Sequence, residues 1–194
     1  RQKQYLRSFK FGDGWMEVEV HAPTQVANSI RRSLLTDVPC LAPESVEVFV
    51  NTSCLPDEHI AHRIGMIPFR DERKEGKGET AFLDLDVTGR KATTDDFVVQ
   101  DQEDRKKEAV LPVGRTDVMT LLGDDQRLKV RVRLEVGKGG RHVRWSPVCG
   151  VGFRQRKGHV LLRVETNGQI SPLHAMKEAL LSLRGRVDHA LSDL

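Results

Sequence analysis

The residues best suited to chemistry lie in one stretch, residues 51–68, with the sequence NTSCLPDEHIAHRIGMIP. His59 and His62 are three residues apart, so a helix would present both on one face, and Glu58 precedes the first. Imidazole and carboxylate groups can bind a metal ion in this way, as in the HExxH helix of metalloproteases. That motif's spacing of four residues and a third ligand are both missing here. A structural role is therefore favoured over a metal site.

Other patterns associated with catalysis are weak. Residues 137–145, GKGGRHVRW, are glycine-rich, but they lack GxGxxG and the GK[ST] ending of phosphate-binding loops, and no helix pattern follows. No nucleophile elbow is present. The three cysteines, Cys40, Cys54 and Cys149, form no CxxC pair, which argues against a disulfide framework and a cysteine-rich zinc site. The residues alone thus indicate a non-catalytic scaffold.

Charge is unevenly distributed, although the 194-residue chain has a net charge of only +3. Residues 126–163 contain eleven Lys or Arg and one acidic residue, whereas residues 71–108 contain eight basic and twelve acidic residues. The basic stretch 126–163 suits an acidic partner or nucleic acid, and a solvated strand face explains it equally well. Aromatic residues make up 5% and do not interleave with the cations, so sequence-specific reading of single strands is not expected.

The composition gives no indication of export or membrane insertion. Hydrophobic residues make up 38% of the chain, and no apolar run approaches the length of a membrane span, about 18 residues. The opening RQKQYLRSFK contains no signal-peptide segment, and because it lacks Met we expect a trimmed N-terminus. The odd cysteine count favours a reducing intracellular compartment, in the nucleus or cytoplasm.

Alternation of apolar and polar residues predicts strands at 15–21, 45–51, 81–87, 128–136 and 159–166. The clearest is LKVRVRLEV (128–136), which places aliphatic residues on one face and Lys129, Arg131 and Arg133 on the other. Residues 88–108 are expected to form loop or weak strand, and the glycine-rich 137–152 a bend between strands.

Three helices are predicted. The first runs from an N-cap at Thr24 to Val38, and the second is a short one over 57–65. The third begins after an N-cap at Ser171, with Pro172 in the first turn. It carries apolar residues at alternating spacings of three and four, namely Leu173, Met176, Leu180, Leu183, Val187, Ala190 and Leu194. Such a seam covers either the chain's own sheet or a second polypeptide.

Residues 27–69, ANSIRRSLLTDVPCLAPESVEVFVNTSCLPDEHIAHRIGMIPF, carry the most specific pattern in the chain. They resemble the alpha-like assembly subunit of multisubunit DNA-directed RNA polymerases, nearest to its archaeal form and to the third-largest subunit of eukaryotic RNA polymerase II. Two later segments agree in order with that family, GKGGRHVRWSPV (137–148) and VETNGQISPLHAMKEALLSL (164–183). Together the three segments cover most of the chain.

The resemblance implies an α+β, alpha-amino-terminal-domain-like fold. A discontinuous dimerisation domain, residues 1–50 and 148–194, would hold an inserted, mainly β domain at 51–147. The implied function is a non-catalytic assembly subunit without a cofactor. It would pair with a smaller alpha-like subunit, bind the two largest polymerase subunits and meet DNA only indirectly, through the complex.

The resemblance also implies two sets of contact residues. The dimer interface would comprise Ile30, Leu34, Val38, Met176, Leu180, Leu183 and Val187. The large-subunit contacts would be Arg31, Arg32, Asp57, Glu58, His62 and Arg63. Within the second set, the forked donors of Arg32 suit a carboxylate or carbonyl cluster, and Asp57 and Glu58 are expected to cap the short helix.

One departure from the family concerns metals. Near relatives often carry a cysteine-rich zinc loop or an iron–sulfur domain after this block, whereas residues 70–79, RDERKEGKGE, contain no cysteine, so neither is expected. A compact chain of this kind would suit a streamlined polymerase, such as one encoded by a large DNA virus. The expected locations, the nucleus or cytoplasm, would then include the virion. The alternatives are a nucleic-acid-binding module that uses residues 126–163 and a metalloenzyme that uses His59 and His62.

Overall fold

The structure, a computed structural model, describes residues 5–71, 80–100 and 110–193. Its elements in chain order are β1 Leu6–Gly12, β2 Trp15–Val20, α1 Thr24–Thr36, β3 Pro39–Asn51, α2 Asp57–Gly65, β4 Phe69–Asp71, β5 Thr80–Thr88, β6 Lys91–Thr93, β7 Val98–Gln100, β8 Val110–Pro112, β9 Asp117–Thr120, β10 Arg127–Lys138, β11 Val148–Arg156, β12 His159–Thr166 and α3 Pro172–Ser192. Short 3-10 helices lie at Thr94–Asp96 and Val143–Trp145. The mixed, mostly antiparallel architecture confirms the predicted α+β class.

The chain divides into two compact units, the first formed by residues 1–40 and 138–194 and the second by residues 41–137. The second unit therefore starts at 41 rather than at the predicted 51, and it ends at 137 rather than 147. The cause is the long strand β3, which pairs with β10 in a sheet of the second unit. A strand predicted for the dimerisation domain thus belongs mostly to the other unit.

The first unit is built on a four-stranded sheet of order β1-β2-β12-β11. β2 pairs with β12 in antiparallel register, and the alternation in both strands buries one face completely. Helices α1 and α3 cover that face, so the core of this unit lies between sheet and helices. Its fully buried strand residues are Met16, Val18, Val20, Val160, Leu162 and Val164.

The two helices of the first unit begin differently. The predicted cap of α1 is wrong, because Pro23 takes the N-cap position and Thr24 instead donates a hydrogen bond to Gln155 Oε1 at 3.3 Å. Asp37 ends this helix, so Val38 lies beyond it. The predicted cap of α3 is confirmed: Ser171 Oγ accepts from the backbone N–H of His174 at 3.2 Å, and Pro172 is the first helical residue.

The second unit contains a four-stranded sheet of order β3-β10-β5-β7 and two small two-stranded sheets, β4-β8 and β6-β9. The predicted strand at 128–136 is confirmed as β10, which buries Leu128, Val130, Val132 and Leu134 but leaves Val136 40% exposed. The predicted helix at 57–65 is confirmed as α2, which buries Ile60 and Ile64.

Two strands of the first unit are absent from the sequence predictions. β1 exposes nearly all of its residues, so it shows no alternation of apolar and polar side chains. β11 contains Gly150 and Gly152, which favour the predicted bend, and then a run of basic residues. Both are edge strands of their sheet, where only one neighbour constrains the sequence.

Candidate protein interface

An open groove of about 540 Å³ lies between α1 and the second half of α3, within the first unit. Its lining residues are Ser29, Arg32, Ser33, Thr36, Leu183, Arg186, Val187, Ala190 and Leu191. The apolar ones all come from α3, at spacings that put them on one helical face. The groove thus offers an aliphatic ridge on one side and polar side chains of α1 on the other.

The C-terminal half of α3 extends beyond the core that its first half covers. Ala175, Met176 and Ala179 are buried, whereas every residue from Arg184 to Asp193 is exposed. Val187 exposes 57% of its surface and Leu191 63%. Aliphatic side chains on an exposed helix stabilise it little unless another surface covers them, so this half of α3 is suited to a protein contact.

Polar contacts fix the two helices at the floor of the groove. Ser33, fully buried on α1, places its Oγ 2.7 Å from Asp37 Oδ2 and 3.0 Å from the carbonyl oxygen of Ala179 on α3. Its single proton serves one of these acceptors at a time. Arg186 of α3 reaches the same carboxylate, with its Nη2 2.7 Å from Asp37 Oδ2. These bonds set the spacing of the helices that line the groove.

A second ordered surface segment, in the second unit, is the NTS sequence at residues 51–53. The amide of Asn51 donates to the carbonyl oxygen of Leu55 at 2.8 Å and to Asp57 Oδ1 at 2.6 Å. The Ser53 hydroxyl donates back to Asn51 Oδ1 at 2.6 Å. The backbone N–H of Thr52 donates to the carbonyl oxygen of Arg127 at 3.0 Å, which ties this turn to β10. The turn therefore fixes the start of α2.

The family model for the RNA polymerase Rpb3/Rpb11 dimerisation domain matches residues 18–187, which is most of the chain and includes α1 and α3 as far as Val187. The chain belongs to this family. The resemblance seen in residues 27–69 is thereby confirmed.

Named relatives from archaea and a plant agree with the family assignment. The chain is 29% identical over 174 residues to DNA-directed RNA polymerase subunit Rpo3 of Methanocaldococcus jannaschii, covering 89% of this chain and 86% of that protein. It is 32% identical over 163 residues to subunit Rpo3 of Halobacterium salinarum, covering 84% and 60%. It is 30% identical over 161 residues to subunit 3 of RNA polymerases II, IV and V of Arabidopsis thaliana, covering 66% and 49%. The chain thus spans less than two thirds of the length of the last two.

The predicted interface residues of this Rpb3/Rpb11-type chain fall into two groups. Ile30, Leu34, Val38 and Met176 are buried in the first unit's own core, with at most 5% of their surface exposed. Leu180 and Leu183 are half-buried at the edge of that core, and Val187 is exposed. The apolar seam of α3 therefore changes role along the helix. Its first residues pack on the sheet of the first unit, and its later residues line the groove. The last seam residue, Leu194, lies outside the described residues.

The predicted large-subunit contacts also differ in their settings. Arg31 is half-buried, and its Nε donates to Asn28 Oδ1 at 3.0 Å. Arg32 is exposed and lines the groove. Arg63 donates to the carbonyl oxygen of Asp117 at 3.1 Å, so it connects α2 to β9 within the second unit. Arg31 and Arg32 thus belong to the first unit and Arg63 to the second.

Asp57, Glu58 and His62 are all exposed on α2. The predicted capping by the two carboxylates is wrong, because Pro56 occupies the N-cap and no side chain caps the helix. Both acids nonetheless lie in the first turn, where negative charge complements the helix dipole.

The hypothesis of a metal centre at His59 and His62 gains no support from the geometry. Both histidines are exposed, and within residues 5–71, 80–100 and 110–193 no group of three or more His, Cys, Asp or Glu side chains is placed to hold a metal ion. The prediction that the loop at 70–79 binds no metal concerns residues 72–79, which lie outside the described ranges. No helix in the described part of the chain is both long and apolar enough to cross a membrane.

Three of the eleven cations in the basic stretch 126–163 pair with the acidic strand β5 beside them. Arg127 and Lys129 of β10 pair with Asp86 of β5 at 2.6 and 3.7 Å. Arg131 binds Asp84 through two hydrogen bonds, of 2.8 and 2.9 Å. These hydrogen bonds from arginine lower the pKa of both aspartates, against the smaller opposing effect of burial. These three cations of β10 therefore serve sheet pairing, which disfavours the nucleic-acid-binding alternative for this part of the strand.

Proposed function

We propose that this chain is a non-catalytic assembly subunit of a DNA-directed RNA polymerase. The groove between α1 and α3, with the exposed aliphatic ridge of α3, carries the proposal. The match to a dimerisation domain, which includes α1 and α3 as far as Val187, supports it. The relatives are named as RNA polymerase subunits, which supports the transcription context and an intracellular location. The chain itself would perform no chemistry and hold no cofactor.

The partner at the groove would be a smaller alpha-like subunit whose own helices supply the matching apolar surface. Leu183, Val187, Ala190 and Leu191 would be covered directly. Ile30, Leu34, Val38 and Met176 would support the interface from beneath. Obligate contacts of this type bury upwards of ~2,000 Å² and resemble a domain core divided between two chains.

The resulting pair would form the platform for the two largest subunits. Arg31, Arg32, Asp57, Glu58, His62 and Arg63 remain the proposed contact residues. Arg32 suits this role best among the arginines, because it is exposed while Arg63 is held by Asp117.

Co-purification with the smaller subunit tests the pairing. In the double variant Val187→Glu/Leu191→Glu, partner contact would bury two unpaired carboxylates, together at a cost of about 3 kcal/mol or more, so we expect association to weaken at least ~100-fold. The matched control is Leu122→Glu in the second unit, where the leucine is 77% exposed. Sedimentation velocity measures pairing, and circular dichroism verifies that both variants stay folded. Unchanged pairing in a folded double variant would refute the proposed interface.

A further inference from the structure

The edge strand β11 and its turn form a second surface whose contacts the groove does not explain. β11 ends the sheet, and in the described part of the chain it pairs with β12 alone. From Gly152 to Lys157 every residue is exposed. An open strand edge presents backbone N–H and C=O groups that can pair with another extended chain.

The charge of this edge is not balanced by the residues that the structure describes. Arg154, Arg156 and Lys157 have no acidic side chain within 4.0 Å among the described residues, in contrast to the paired cations of β10. Three cations of the basic stretch thus lie close together at this edge. Charged side chains on edge strands discourage uncontrolled pairing, and they also select for a partner of opposite charge.

The register assigns the side chains of β11 to two different faces. Arg154 lies opposite Leu161, and Arg156 lies opposite His159, on the face of the sheet away from the helices. Phe153 lies opposite the buried Leu162, on the helix-covered face, and it remains 38% exposed. The strand edge therefore has a cationic side and an apolar side.

The direction of the free backbone groups follows from the turn. Lys157 and Gly158 form a two-residue turn, with φ +85° at Gly158, and Arg156 lies opposite His159. In such a turn the carbonyl oxygen of Arg156 accepts from the N–H of His159, so hydrogen-bonded pairs alternate from there. The N–H and C=O groups of Gln155 and Phe153 then point away from β12, toward the open edge.

We infer that this edge binds an extended segment of another polypeptide, which adds a strand with acidic residues on one face and apolar residues on the other. The acidic side chains would meet Arg154 and Arg156, and the apolar ones would lie beside Phe153. Backbone pairing would supply affinity while alternating side chains supply specificity. Nucleic acid is less suited, because the aromatic side chain here lies on the face opposite the arginines and offers no stacking platform beside them.

Peptide binding to the full chain tests this surface. The probe is a fluorescein-labelled peptide of about ten residues in which Glu and Val alternate, and fluorescence anisotropy at 0.15 M salt measures its affinity. We expect Arg154→Glu/Arg156→Glu to weaken binding at least ~10-fold. The control, Lys177→Glu/Arg184→Glu on α3, makes the same change in charge and should leave the affinity unchanged.

Two N-methylated forms of the probe separate strand addition from attraction by charge alone. Methyl groups on one set of alternate residues block the peptide edge that would face β11, and those on the other set block only the outer edge. We expect one form to lose binding and the other to keep it. Equal binding of both forms, no binding of the unmodified probe, or tighter binding of a single-stranded oligonucleotide of the same charge would each overturn the inference.

Discussion

Leu34→Ala tests whether part of the predicted interface belongs to the core of the first unit. Leu34 has 0% of its surface exposed and packs in the cluster formed by the sheet and both helices. Truncation of a leucine at such a site removes buried methyl groups and leaves a cavity, which costs about 2–5 kcal/mol. We expect the free energy of unfolding of the isolated chain to fall by that amount, with no partner present.

The same substitution at Leu191 is the matched control. Leu191 is 63% exposed in the groove, so Leu191→Ala should change the stability of the isolated chain by less than about 0.5 kcal/mol. A site that only a partner covers contributes to association rather than to the folding of the single chain. Leu34→Ala and Leu191→Ala make the same chemical change, one in the core and one in the groove, so their effects on stability distinguish the two settings.

The assay exploits the positions of the two tryptophans. Trp15 and Trp145 both belong to the first unit, so urea unfolding followed by tryptophan fluorescence reports on that unit. With a slope of roughly 2 kcal/mol per M urea, Leu34→Ala should lower the unfolding midpoint by about 1 M or more. Coincident midpoints for Leu34→Ala and the parent chain would refute the placement of Leu34 in the core.

Two further predictions concern titratable groups. Burial raises the pKa of the Cys40 thiol to about 12, and burial also raises the pKa of Cys149, although Cys149 is exposed like Cys54. Iodoacetamide at pH 8 should therefore label Cys54 first, Cys149 more slowly and Cys40 only after unfolding, as read by peptide mass spectrometry. Labelling of Cys40 as fast as Cys54 in the folded chain would contradict this. The hydrogen bonds from Arg131 hold the pKa of Asp84 below its ordinary value of 3.8. The ionised Asp84 therefore stabilises the folded chain above pH 3.8, and this stabilisation is lost as the pH falls below that value. Urea unfolding followed by circular dichroism measures the free energy of unfolding of the parent chain and of Asp84→Asn. The difference between these two free energies should be larger at pH 6 than at pH 3, and a difference independent of pH would contradict the prediction.

The sequence predicted elements well where one face of an element is buried. β10 alternates strictly, and β12 alternates except at Leu161, because one side of each strand lies in a core. The predicted bounds of β12 and α2 match the structure. β1 and β11 were missed because edge strands expose most of their residues, which removes the alternation.

The candidate site could be predicted only in part. Spacing along α3 located the seam, but the same spacing serves a chain's own sheet and a second polypeptide, so it could not show that burial ends after Leu183. The contact of Ser33 with Ala179 joins residues 146 positions apart, and no local pattern signals it. The pairing of β10 cations with β5 acids likewise depends on strand register, which sequence spacing does not fix.

The interruption of the first unit by the second affects how the chain must fold during its synthesis. Residues 41–137 form a continuous unit that can fold as soon as it leaves the ribosome, whereas β2 and α1 have no β12 or α3 to pack against until residues 138–194 follow. At translation rates of about 5–20 residues per second, the strand that carries Met16, Val18 and Val20 stays uncovered for roughly 7–30 seconds. During that interval the nascent chain exposes an apolar segment that a ribosome-associated chaperone is well suited to bind.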